Sequence, residues 1–253
     1  MDLDNVVVYE NERLDDLHRK NYQIIQDPKR FCFGIDAVLL SEFAKVKNNE
    51  KVIDLGTGTG IIPILLEARY GGENYFAIDI QKESVEMANR SVELNLLQDK
   101  IKVVNADIKN LFDKENEVCF QKSYFDVVVS NPPYMNNGGG IRNEFDPKAI
   151  ARHELLCNLE DVISSASKLL KFGGRFYMVH RPHRLVDIFL LLRKYKLEPK
   201  VVRFVQPYKD REPNMVLIES VRGGKAMLKV MTPLIVYKNS GEYTEEINQI
   251  YYE

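Results

Sequence analysis

The sequence predicts an α/β fold: a doubly wound, mostly parallel seven-stranded sheet with an antiparallel hairpin at one edge. Three observations carry this. From about residue 36 onward, strand-like and helix-like patterns alternate, the signature of successive βα units. Val127, Val128 and Val129 follow one another without a charge, as in a strand buried on both faces. The connection from Gln206 to Asn214 is too short for a crossover helix, so the strands it joins should pair antiparallel.

Each element follows from its residues. Lys51 to Leu55 is a short apolar strand running into a glycine-rich turn, and Ile61 to Tyr70 continues as a helix. Asn74 to Asp79 is a second strand that ends on an acid, and Lys82 to Leu94 carries Val85, Ala88 and Val92 at helical spacing. Ile101 to Asn105 and Tyr124 to Ser130 are the third and fourth strands. Leu159, Val162, Ile163, Ala166, Leu169 and Leu170 fall on one helical face, and Gly173-Gly174 suits a stop before the strand Arg175 to Val179. A helix over Leu185 to Tyr195 leads to strands near Val201 to Val205 and Met215 to Ser220. The pattern divides the chain into an N-terminal extension packing on the core (1–35), the sheet domain (36–221) and a C-terminal part (222–253). That last part holds one more strand, Leu228 to Val236, and a tail.

With 253 residues, 45% hydrophobic and 28% charged, the composition excludes a disordered, collagenous or disulfide-stapled chain. No apolar run reaches the length that spans a bilayer, and the acidic start (Met1, Asp2, Leu3, Asp4) is unlike a secretory signal, so no membrane association is expected. Cys32, Cys119 and Cys157 are odd in number and far apart, which signals neither disulfides nor a zinc site and reads as reduced and cytoplasmic. The net charge of −2 argues against a global electrostatic coat for DNA. Between Lys168 and Arg211, however, twelve Lys and Arg stand against three Asp and Glu, basic enough to meet phosphates.

The first chemical constellation is Val52-Ile53-Asp54-Leu55-Gly56-Thr57-Gly58-Thr59-Gly60. A strand that ends in alternating glycines lets a ligand approach bare backbone at the strand's carboxyl end, where open α/β sheets bind their ligands. The spacing Gly-x-Gly-x-Gly fails the dinucleotide fingerprint because Ile61 holds its last position, which favours another nucleoside cofactor over a nicotinamide. Asp79 and Asp107 follow the next two strands. Any one of these acids reads equally as a cap or turn residue, but Asp54, Asp79 and Asp107 after three successive strands read as a set.

The second constellation is Ser130-Asn131-Pro132-Pro133-Tyr134, directly after the fourth strand. Two prolines fix the backbone and remove two donors, so the Pro132 carbonyl joins the Asn131 carboxamide as a two-acceptor clamp. Such a clamp suits a conjugated NH₂ group: it engages both hydrogens, aligns the nitrogen with an electrophile and stabilises charge as it develops. An aromatic at Tyr134 can stack on a planar substrate. No general base is required, because the product nitrogen can shed its proton after transfer. His18, His180 and His183 have no acid or serine partner at a recognisable spacing, and no metal-ligand cluster appears.

In order and spacing these motifs resemble those of the class I S-adenosylmethionine-dependent amino-methyltransferases, over roughly residues 31–221. The resemblance implies a Rossmann-like class I methyltransferase fold using S-adenosylmethionine, with S-adenosylhomocysteine as product and no metal. It implies that Asp54 with Gly56, Thr57, Gly58 and Gly60 lines the cofactor, that Asp79 and Ile80 meet its ribose, and that Asp107 and Ile108 meet its adenine. Asn131 also borders the cofactor, and Asn131, Pro132, Pro133 and Tyr134 carry catalysis. Outside the core, Phe31-x-Phe33-Gly34-Ile35-Asp36-Ala37-Val38-Leu39-Leu40, Ala151-Arg152-x-Glu154 and Tyr243-Thr244-x-Glu246 resemble the tRNA(Val) adenine-37 N6-methyltransferase family. That likeness implies N6-methylation of an adenine in structured RNA, tRNA foremost. DNA is not expected as a partner, because the longest gap between core elements, roughly 135–158, is too short for the target-recognition domain that DNA adenine methylases normally add. It also implies that Phe33 and Asp36 close over the methionine end of the cofactor, and Arg152, Arg181 and Arg184 are read as facing the substrate. The residues alone also allow Asp36 to be a helix cap and Arg152 to belong to a surface salt-bridge cluster. Asn136 to Gly140 reads as a flexible stretch that moves on substrate binding.

Three other functions compete. A protein glutamine shares the conjugated NH₂, but release-factor glutamine methyltransferases usually carry a larger helical domain than 35 residues allow. Ribosomal RNA base N-methylation is a further alternative, although guanine N2 enzymes more often show Phe where Tyr134 stands. A non-catalytic module on the same fold would be expected to lose the glycine turn or the Asn131 turn, and both are intact.

Overall fold

The computed structural model describes residues 6–30, 32–115, 118–133 and 158–252. A hairpin comes first, β1 (Arg13–Asp16) paired antiparallel with β2 (Gln23–Gln26). Helix α1 (Ile35–Phe43) precedes the sheet. The βα units follow: β3 (Val52–Leu55), α2 (Ile61–Tyr70), β4 (Tyr75–Asp79), α3 (Lys82–Leu94), β5 (Ile101–Asn105) and β6 (Phe125–Ser130). Then come α4 (Leu159–Leu169), β7 (Leu170–His180), α5 (Leu185–Lys194), β8 (Leu197–Gln206) and β9 (Met215–Arg222). The tail holds β10 (Lys229–Val230), β11 (Leu234–Ile235), β12 (Tyr237–Asn239), β13 (Glu242–Tyr243) and α6 (Glu245–Tyr252).

The principal sheet runs β5-β4-β3-β6-β7-β9-β8, with β10 and β11 added outside β8. β9 pairs antiparallel with β7 and β8, and the other pairs are parallel, so the expected doubly wound sheet with an edge hairpin is present. Its two faces are dry for the reason the composition gives: one apolar cluster packs Val127, Val129 and Tyr177 under α1 and α2, and another packs Val128, Phe176 and Met178 under α4 and α5. The capping box of α4, Asn158 Oδ1 accepting from Asp161 N at 2.9 Å and Asp161 Oδ2 from Asn158 N at 3.1 Å, fixes where that helix starts.

Several expectations are corrected. Gly173-Gly174 does not separate helix from strand: β7 begins at Leu170, and the glycines occupy an irregularity in its pairing with β6. A side chain at Gly174 would come within 3.0 Å of the Lys171 carbonyl, so only glycine fits there. The strand expected over Leu228 to Val236 is two short pieces, β10 and β11, because Pro233 lies between them and cannot donate to a ladder. Asp36 is not the cap of α1. Gly34 takes that place without a side-chain cap bond, and Asp36 sits in the first turn, where its carboxylate accepts from Ala37 N at 3.0 Å and suits the helix dipole.

Candidate active site

The strand order reverses at β3, whose connections lead to β4 on one side while β6 lies on the other. The crevice at the carboxyl ends of β3 and β6 is therefore the topological switch point. The glycine turn rises from β3 on one side of it. Gly56 and Gly58 have φ of 77° and 56°, left-handed values that a side chain resists, and a Cβ at either would meet nothing within 4 Å. The turn thus presents bare backbone to open space. Gly60 caps α2 at φ 85°, turning the helix N-terminus toward the same end.

Asp79 fastens this turn. Its Oδ2 accepts from Gly58 N at 2.9 Å and its Oδ1 from Gln81 N at 2.9 Å. A carboxylate has roughly four acceptor positions, so two amides leave room for two hydroxyls. Asn105 Nδ2 donates to the Asp79 and Ile80 carbonyls at 2.9 and 3.0 Å, which sets the backbone there. Ile80 itself is 36% exposed, an apolar surface open at the rim. Asp107 follows β5 and accepts from Lys109 N at 2.9 Å, with Lys109 Nζ at 3.7 Å. Ile108 differs from its neighbour: its side chain is buried in the core, and Ser165 Oγ donates to its carbonyl at 2.7 Å.

Asp54 is the anomaly of the site. It is fully buried on β3, where its carboxylate makes no well-formed hydrogen bond and has only the Thr57 hydroxyl close enough to stabilise its charge. Burial pushes the Asp54 carboxyl up to about 7; the nearby Thr57 hydroxyl works against the shift and the Asp79 charge adds to it. A buried acid held by one hydroxyl at most leaves acceptor capacity unused in the crevice.

Asn131, Pro132 and Pro133 continue β6 on the other side of the crevice. Asn131 is half-buried, Pro132 buried and Pro133 exposed. The register aligns Asp54 with Val129, and Ser130 Oγ donates to the Leu55 carbonyl at 2.7 Å, so the clamp turn and the glycine turn leave adjacent strands at one level. Tyr134, Arg152, Glu154 and the stretch Asn136 to Gly140 lie outside the described residues.

The basic stretch does not form one surface. Arg181, His183 and Arg184 follow β7 and Lys209 and Arg211 follow β8, all at the carboxyl end, where Arg181 Nη1 donates to the Asn214 carbonyl at 2.9 Å. Arg184 pairs with Asp187 at 2.9 Å. Lys168, Lys171 and Lys196 lie instead at the opposite end, beside the starts of β6, β7 and β8, because β7 crosses the whole sheet between the two groups. Sequence counting merges these groups, and only the topology separates them. His180, given no role from sequence, is buried at the end of β7. Its Nδ1 accepts from Arg181 N at 2.8 Å, and burial with the Arg184 charge pushes its pKa down to about 4.

Phe33 precedes α1, and Asp36 lies in the first turn of that helix. Phe33 N donates to Gln26 Oε1 at 2.8 Å, and its ring packs against the core cluster of α1 and α2. Among the described residues no group of three or more His, Cys, Asp or Glu side chains could hold a metal ion, and no helix is long and apolar enough to cross a membrane.

A doubly wound sheet with a glycine turn after its central strand and an acid at the end of the next defines a nucleoside-cofactor protein of the methyltransferase type. The chain belongs to the methyltransferase domain family, whose model matches residues 46–206. Two similar sequences bear the name tRNA1(Val) (adenine(37)-N6)-methyltransferase. That of Porphyromonas gingivalis is 28% identical over 90% of this chain and 89% of its own length. That of Trichodesmium erythraeum is 32% identical over 64% of this chain and 65% of its own. In fold, the chain is similar to a predicted O-methyltransferase of Agrobacterium tumefaciens, with a TM-score of 0.69 and 22% identity over 85% of this chain and 94% of that one.

Proposed function

We propose that the protein methylates N6 of an adenine in tRNA, adenine 37 beside the anticodon, with S-adenosylmethionine as methyl donor. The observation that carries this reading is the juxtaposition at the switch point: a glycine turn with a buried acid on β3, and the Asn131-Pro132-Pro133 turn on β6 tied to it through Ser130 and Leu55. The names of the similar sequences support the substrate. They favour it over a protein glutamine or ribosomal RNA.

The residues present fit the cofactor. The open cradle at Gly56, Thr57, Gly58 and Gly60 admits a large group against backbone, Asp54 supplies an acceptor for a buried cationic donor, and Asp79 keeps acceptor capacity for ribose hydroxyls. Ile80 offers an apolar rim, Asp107 and the Ile108 backbone border the adenine end, and Phe33 and Asp36 border the methionine end. When bound, S-adenosylmethionine supplies an electrophilic methyl group. Asn131 Oδ1 and the Pro132 carbonyl accept the two hydrogens of the adenine N6, which orients its nitrogen and offsets the positive charge that grows there. Pro133 locks that turn, and the family resemblance gives Tyr134 and Arg152 substrate-binding roles. Arg181 and Arg184, with Lys209 and Arg211, take phosphates at the same end. A cytoplasmic location goes with this substrate.

The test is incubation of bulk tRNA with isotopically labelled S-adenosylmethionine, followed by nucleoside mass spectrometry. Labelled N6-methyladenosine is expected; label only in protein or in another nucleoside would overturn the reading.

A further inference from the structure

The C-terminal helix α6 does not hang off the sheet. Ile247 and Ile250 are buried, and the last carbonyls of the helix are held by two arginines. Arg19 Nη2 donates to Gln249 O at 3.2 Å and to Ile250 O at 2.9 Å, and Arg69 Nη2 to Ile250 O at 2.6 Å. The Arg69 side chain is 5% exposed, and its other arm binds Glu42 of α1 at 2.5 Å. One buried guanidinium therefore joins α1, α2 and α6.

The position of α1 makes this consequential. Its C-terminal end lies beside that of α2, where Glu42 meets Arg69 and Lys45 Nζ donates to Tyr70 OH at 3.2 Å. The two helices are of similar length and pack side by side, so their first turns also lie together. Val38 lines a cavity with Leu65 as Glu42 pairs with Arg69, so the helices run parallel and the start of α1, at Gly34 to Asp36, faces the start of α2 that follows the glycine turn. Tyr251 comes from α6 to the side of this helix pair. Its ring borders a small cavity together with Phe33, Val38 and Leu65. It is stacked on Tyr243 at 5.6 Å and 12°, and Tyr243 on Tyr237 at 5.2 Å and 21°. Burial first, then its tyrosine neighbours and the Asp36 charge, raise the Tyr251 hydroxyl above the usual phenol range.

We propose that α6 is a positioning element for the cofactor: Tyr251, fixed by the tyrosine stack and by the Arg19 and Arg69 bonds behind it, sets the place of the Phe33–Asp36 turn against the glycine turn. The inference rests on the reading that Phe33 and Asp36 border the cofactor. A ring more than two hundred residues from that turn in sequence then contributes to cofactor affinity by preorganisation.

The experiment uses the full chain and compares Tyr251→Ala, Tyr251→Phe and Arg19→Met in three assays: calorimetric titration with S-adenosylhomocysteine, tRNA binding without cofactor, and thermal unfolding. Tyr251→Ala is expected to weaken S-adenosylhomocysteine by about five- to tenfold with tRNA affinity within about twofold, and Tyr251→Phe, which keeps the ring, to restore it. Arg19→Met, which frees one side of the helix end while leaving the ring, is expected to weaken the same ligand less and serves if Tyr251→Ala does not fold. Folded variants with a lower melting temperature but unchanged S-adenosylhomocysteine affinity would overturn the proposal, as would loss of tRNA binding alone. Absence of heat from the unsubstituted protein would overturn the cofactor reading itself.

Discussion

Ser130 on β6 donates its hydroxyl to the carbonyl of Leu55 on β3 at 2.7 Å, and both groups are buried. The bond lies at the root of the two turns that define the site. It adds a side-chain bond between the glycine turn and the Asn131 turn to the backbone pairing of β3 with β6. Ser130→Ala is expected to cost about 1 kcal/mol of stability and roughly tenfold in kcat, because a small displacement of the clamp spoils alignment. Thermal unfolding and single-turnover methylation check this; an unchanged rate would show that the strand register alone holds the turns together.

Asn131 and Asp79 should separate catalysis from binding. Asn131→Ala removes one clamp acceptor and should lower kcat by about a hundred- to a thousandfold with S-adenosylhomocysteine affinity little changed. Asp79→Ala should weaken the cofactor instead, since it removes the acceptor for hydroxyls and also releases the Gly58 and Gln81 amides. Titration and kinetics on both variants decide; exchanged effects would mean that the two sides of the crevice are assigned the wrong way round.

Asp54 should couple the free protein and the cofactor to pH. Its folded pKa, about 7, lies above the ordinary 3.8, so the folded state holds the proton more tightly than the unfolded one. Its contribution to stability is therefore favourable at low pH and is lost as pH rises through about 7. Binding a cationic group beside it should expel that proton, so cofactor affinity should rise with pH up to about 7, with proton release measurable by calorimetry in buffers of different ionisation enthalpy. In Asp54→Asn the proton release should vanish. A pH-independent affinity in the unsubstituted protein would contradict the assignment.

The two basic groups should behave differently toward RNA. Lys209→Ala with Arg211→Ala should reduce the slope of log affinity against log salt by roughly one to two. Lys168→Ala with Lys196→Ala, at the far end of the sheet, should leave that slope unchanged. Binding isotherms at several salt concentrations distinguish them, and equal effects would point to an RNA that wraps both ends.

The βα alternation was legible because apolar periodicity and glycine turns are local signals: Ile61 to Tyr70 and Lys82 to Leu94 match the observed helices. The places of Asp54, Asp79 and the Asn131 turn were legible as well, since Asp54 lies in the apolar strand β3, Asp79 ends β4 and Asn131 follows β6 directly. Two kinds of feature were not. Gly173-Gly174 reads as a helix stop, and only pairing with β6 reveals an irregular strand through them. The tail is the other: Tyr237, Tyr243 and Tyr251 stack and Arg19 reaches Ile250 through contacts far apart in sequence, which no periodicity records. The split of the basic stretch belongs with these, because it depends on which way β7 crosses the sheet.

Single-turnover methylation of tRNA transcripts carrying adenine or 2-aminopurine at position 37, with labelled S-adenosylmethionine and position-resolved mass spectrometry, decides whether the Asn131 turn is a clamp for the adenine N6. A two-acceptor clamp built for an exocyclic NH₂ next to the methyl donor should give N6-methyladenosine at position 37 with adenine and no transfer at that position with 2-aminopurine, whose amine is displaced to another carbon. Equal transfer to both transcripts at position 37, or label at a different nucleotide in each, would contradict it.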